Sequence, residues 1–154
     1  MRIKGALQIE GYFTVRHMRG DKILSEETIH NTTTNAGFKE IAGLINEQSS
    51  GGFKWLGLDN SGTAAAAADT ALASEITTAG LSRVSATCSK VTTTVAGDTA
   101  QLLKTFTATA TKAVRGVGIF DTASAGIMAA RTTFTAKNME TNDTLQITYK
   151  MKVA

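Results

Sequence analysis

A chain of 154 residues, 42% hydrophobic with a mean hydropathy of −0.03, is long enough for one domain with a buried core and too short for two comfortable ones. Its one cysteine, Cys88, rules out an intrachain disulfide and a cysteine metal site, and no window approaches the roughly eighteen apolar residues of a membrane-spanning helix. The net charge of +3 is mild and the basic residues are scattered, with no aromatic-interleaved basic strip, so neither direct nucleic-acid binding nor membrane binding is expected.

The amino-terminal stretch MRIKGALQIEGYF opens with two basic residues, but Gln8 and Glu10 interrupt any signal-like apolar region. A protein made and kept in the cytoplasm, unless lysis releases it, is the expectation. Leu7, Ile9, Gly11, Phe13 and Val15 alternate with polar residues, the period of a half-buried strand. Gly20-Asp21 is a two-residue hairpin turn into a returning strand over Lys22–Thr28, so residues 1–30 read as an N-terminal arm or hairpin of a single β-rich domain, 1–154. Phe38, Ile41, Ala42, Leu44 and Ile45 fall at helical spacing and predict one helix over Ala36–Gln48, capped by Asn35 and ended by Ser49-Ser50-Gly51-Gly52.

The apolar run Trp55-Leu56-Gly57-Leu58 leads into a polar turn, Asp59-Asn60-Ser61-Gly62-Thr63. Five consecutive alanines favour helix by propensity, yet their Thr and Asp neighbours suit a loop, and an extended loop with a single helical turn is predicted for Thr63–Leu72. Everything from Arg83 onward reads as strand: Arg83–Val95, Gln101–Thr111, Val114–Asp121, Ile127–Ala136, and a final strand with Leu145, Ile147, Tyr149, Met151 and Val153 on one face. Threonine, about one residue in six, is β-branched and lies inside these alternating runs. The predicted fold is mainly β, an antiparallel β-sandwich or barrel with one α-helix near residues 36–48. Proline is absent, so no strand edge is blunted by it.

Chemistry is sparse. His17 and His30 have no metal-ligand spacing and read as surface histidines, and Cys88 reads as a small buried apolar group. The turn at Asp59 lacks the order of a calcium loop, since its glycine comes two positions early. No nucleophile elbow, phosphate loop or strand-linked dinucleotide fingerprint is present. No cofactor and no enzymatic activity are expected. Trp55, beside Phe53 and Leu56, reads as core, with an interface anchor as the sharper alternative.

Several motifs in order resemble a family of small structural proteins of tailed bacteriophages. Asn31 and Asn35-Ala36-Gly37, followed by Ile41-Ala42, look like its helix entry. Trp55-Leu56-Gly57-Leu58 and Asp69-Thr70-Ala71-Leu72-Ala73-Ser74-Glu75 look like its glycine-bearing strand and small-residue segment, with Arg83 in the place of a later arginine. Phe106-Thr107-Ala108 and Val117-Gly118-Ile119-Phe120-Asp121 are similar to its later strands. The likeness runs from about Thr28 to Tyr149; Asp59, where the family often has glycine, departs from it. The resemblance implies a virion component, most of all a capsid decoration (cement) protein seated on the capsid exterior as a homotrimer. Its partners would be the major capsid protein and itself. A tail, baseplate or fibre structural protein is the alternative, and a carbohydrate-binding β-sandwich a more distant one. Under this reading the interface candidates are Arg2, Ile3 and Lys4 in the N-terminal arm, and Trp55, Asp59, Asp69, Leu72 and Glu75 around the Ala-rich loop.

Overall fold

A computed structural model of the chain describes residues 5, 7–49 and 51–154. The amino-terminal alternation forms β1 (Ile9–Arg19), which turns at Gly20, φ +55°, into β2 (Lys22–His30). The positive φ is what a two-residue hairpin turn demands and glycine supplies without strain. Then come β3 (Thr32–Thr33), α1 (Asn35–Ile45), β4 (Trp55–Asp59), β5 (Val84–Ser85) and β6 (Thr87–Val91). The carboxy-terminal half is β7 (Thr99–Thr107), β8 (Lys112–Phe120), β9 (Met128–Met139) and β10 (Thr144–Val153).

These strands make two antiparallel five-stranded sheets, ordered β2-β1-β10-β7-β6 and β3-β9-β8-β4-β5. The alternation seen in sequence sets which side chains meet between them. Phe13 and Val15 of β1 and Leu145, Ile147 and Tyr149 of β10 face Leu56 and Leu58 of β4 and Val114, Val117 and Ile119 of β8, all buried in one cluster. Of the expected antiparallel β-sandwich or barrel, the two sheets make the sandwich-like form, with a single helix among the described residues.

Local departures have physical reasons. The helix is capped by Thr34, not Asn35: the buried Thr34 hydroxyl accepts from Gly37 N at 2.9 Å and donates to Met128 O of β9, fastening the helix start to the sheet. Exposed Asn35 could not do both. Gly37 is the one buried residue of α1, and a Cβ there would lie 2.1 Å from Ala129 O. From that contact the helix lies over the end of the sandwich with Phe38, Leu44 and Ile45 exposed, so most of its apolar face is not core. Cys88 is exposed, not buried, because β6 is an edge strand, hydrogen-bonded in its sheet only to β7. His17 is buried, not a surface residue, because it continues the inward face of β1 after Phe13 and Val15. The stretch Thr63–Leu72 is an extended loop with one hydrogen-bonded turn, Asp69 N to Ala66 O at 3.1 Å, and no helix.

Candidate functional site

The outer face of the second sheet carries the sequence's most distinctive motif. Along β4, Leu56 and Leu58 point into the core, which turns Trp55, Gly57 and Asp59 to the other side. Gly57 stands opposite Gly118 of β8, and Asp59 opposite Gly116. Paired glycines leave a trough in the sheet surface, and Leu72 of the following loop drops into it. A Cβ at Gly57 would lie 3.3 Å from Leu72 Cδ1, and one at Gly118 would lie 3.1 Å from Leu72 Cδ2. Leu72, Phe120 and Met128 form a second small apolar cluster with Trp55 packed at its margin.

Two arginines fasten the loop over this cluster. Arg131 of β9, 1% exposed, donates from Nη1 to Asp69 at 2.7 Å and from Nη2 to Thr63 O at 2.7 Å; Nη2 also lies 3.6 Å from the fully buried Asp59. Asp59 in turn accepts from Ser61 Oγ and Ser74 N, each at 2.7 Å, drawing both ends of the loop onto the end of β4. The Ala66 N–H and the Arg131 guanidinium hold the Asp69 carboxyl below its usual range. Further along, Arg83 grips Glu75 through two bonds of 2.7 and 2.6 Å. It also donates to Ala125 O at 2.8 Å and lies 3.5 Å over the Phe120 ring. Backbone bonds complete the attachment, Ile76 N to Leu58 O and Asn35 N to Ala67 O, each 2.8 Å.

The structure thus brings Trp55, Asp59, Asp69, Leu72 and Glu75 together on one sheet face. Their side chains hold the loop to the sheet: Asp59 and Leu72 are buried within the chain, and Asp69 and Glu75 are paired to arginines. What the loop turns outward is the small residues Thr63, Ala64, Ala66–Ala68, Thr70 and Ala71. Arg2, Ile3 and Lys4 lie outside the described residues. Sequence reading missed Arg131, the centre of the arrangement. The available signal was a lone cation directly after the apolar run Ile127–Ala130, with Asp59 and Asp69 having no assigned partner.

A second polar cluster closes the opposite end of β1. His17 Nε2 lies 2.9 Å from Asp143 Oδ2, and Arg19 donates to both Asp143 oxygens at 2.8 and 2.9 Å. Arg19, with the Glu140 N–H and His17, holds the Asp143 carboxyl well below the usual carboxylate range. Among the described residues no hydroxyl or thiol is hydrogen-bonded to the His17 ring, and no three or more His, Cys, Asp or Glu residues gather as metal ligands. No described helix is long and apolar enough to cross a membrane. No family model, no curated protein and no solved structure matches the chain.

Proposed function

We propose that this chain is a non-enzymatic structural protein of a tailed-bacteriophage virion, a capsid decoration protein that seats as a homotrimer on the lattice of the major capsid protein. The motif order from Thr28 to Tyr149 suggests the class. The observation that carries the reading is the fastened loop, whose inner residues are committed to Arg131 and Arg83 and whose outer residues are small. Covering alanine immobilises almost no side-chain freedom, so an already ordered Ala/Thr surface docks at low entropic cost. Both edge strands of the first sheet, β2 and β6, are largely exposed and free of proline, which suits contact with neighbouring copies.

The stabilising mechanism is linkage. A protein that binds the assembled, expanded lattice and not free capsid subunits moves the equilibrium away from disassembly, and many symmetric copies make weak individual contacts collectively strong. The test is the copy number of this chain in purified particles, read against the major capsid protein. A count near that of the shell protein supports decoration. A few dozen copies or fewer would move the chain to the tail, baseplate or fibre, and its absence from particles overturns the virion reading.

A further inference from the structure

The open end of the sandwich holds a recess of about 500 Å³ that the fastened loop does not touch. Its floor is core: Leu102 and Tyr149 from the first sheet, Ile119 and Ala129 from the second, all at most 5% exposed. Its outer wall is the uncovered side of α1, with Leu44 39% and Ile45 74% exposed. Protein interiors are close-packed, and apolar space of this size gives water few hydrogen-bond partners. The volume lies in the range of small-molecule sites, roughly 300–1,000 Å³. Because the floor lies between the two sheets, a flat protein face cannot reach it, whereas a slender chain can. Among the described residues, Lys54 is the one charged residue lining the recess, and no acid lines it.

From this geometry we infer a binding site for a single-chain anionic amphiphile of the free fatty-acid class, its alkyl chain between the sheets and its carboxylate at Lys54. The site goes beyond the virion reading and does not depend on it. The alkyl chain supplies affinity through burial against Leu102, Ile119 and Leu44. The carboxylate is placed where the site's own cation meets it without burying an unpaired charge.

The test is calorimetric titration of the full chain with dodecanoate, decanoate, dodecanol and dodecyltrimethylammonium, each below its aggregation concentration. Dodecanoate is expected to bind one per chain. Decanoate should bind about fifteenfold more weakly, at about fourfold per methylene. The cationic amphiphile should bind at least about tenfold more weakly than dodecanoate. Lys54→Glu should weaken dodecanoate by about tenfold or more and leave dodecanol within about twofold. Cys88→Trp, on an exposed edge strand and on the same sheet face as its partner Leu102, should block both while preserving the far-ultraviolet circular dichroism. No binding by any of the four overturns the proposal. Equal binding of anionic and cationic amphiphiles, or indifference to Lys54→Glu, overturns the assigned ligand class. Sedimentation is run in parallel: if uptake disappears at concentrations where the chain self-associates, a second copy fills the recess and the ligand reading fails.

Discussion

The loop over the second sheet and the helix at the open end are both built from small and aliphatic residues, yet they are held in opposite ways. The loop has little intrinsic preference for any structure, but two buried or half-buried ion pairs and one inserted leucine fasten it. The helix has good periodicity and a cap, but it touches the sandwich closely only around Gly37 and leaves Phe38, Leu44 and Ile45 outside. Order in the loop comes from tertiary contacts; order in the helix comes from its own hydrogen bonds and one tight backbone contact. Propensity therefore predicts neither how firmly a segment is held nor which face it shows.

The largest effect that separates the two regions should come from Arg131. Replacing it with alanine leaves Asp59, fully buried, without its nearby cation and releases Thr63 O and Asp69. Loss of one partner from a buried pair costs about 3–5 kcal/mol. Chemical unfolding of Arg131→Ala should show that loss as a lower midpoint, and limited proteolysis should cut within 62–71 before any other segment. An unfolding free energy within about 0.5 kcal/mol of the parent's would mean that the loop is held without the arginine.

Next comes the glycine trough. Gly118→Val drives a branched side chain toward Leu72 Cδ2, Met128 Sδ and Phe120 Cε2, all within 3.2 Å of a Cβ at that position. Overpacking of this kind costs about 1–3 kcal/mol. Because the neighbours are side-chain ends, Leu72→Ala in the same chain should recover part of the loss. The helix has no such remedy: Gly37→Ala meets the backbone of Ala129, which cannot withdraw without moving β9. A double variant at 118 and 72 no more stable than Gly118→Val alone would show that the trough is not where Leu72 sits.

Much of this was legible in the sequence at the level of period, and little at the level of pairing. Alternation in residues 7–15 and 145–153 gave β1 and β10, and Gly20-Asp21 gave the turn from β1 into β2, because these depend on neighbours a few residues away. The helix could be placed to within a few residues, but its apolar stripe could not reveal that the sandwich end beneath it is left open. Asp59, Asp69, Leu72, Glu75 and Arg83 stood out as a motif, yet their purpose required Arg131, 62 residues beyond Asp69 in the chain. The same holds for His17 and Asp143, 126 residues apart. A residue's burial follows from what a distant strand brings over it, and a single sequence carries no record of that.

Acid should strain the two polar clusters unequally. Asp143 and Asp69 both titrate below the ordinary aspartate value of about 3.9, so between the folded and unfolded values the unfolded chain binds more protons. Their contribution is complete above about pH 5 and is lost as pH falls through the folded values. Arg19 is the largest cause at Asp143, whereas the Ala66 N–H precedes Arg131 at Asp69. Arg19→Ala should therefore flatten the decline in stability below about pH 4 more than Arg131→Ala does, even though Arg131→Ala costs more at pH 7. Unfolding midpoints measured from pH 7 to pH 2 decide it, and equal flattening would place the two carboxylates under the same control.

The smallest effect sharpens the comparison from the helix side. Ile45 is 74% exposed, so folding has removed little of its surface from water and its apolar area contributes little to stability. Ile45→Ser should therefore change the unfolding free energy by less than about 0.5 kcal/mol, against several for Arg131→Ala. It should also lower the fluorescence of an apolar dye at the open end of the sandwich. A loss above about 1 kcal/mol would require Ile45 to be covered in solution, and a dependence of that loss on protein concentration would identify the cover as a second copy of the chain. Concentration independence would instead place the cover within the same chain, making the helix as firmly held as the loop.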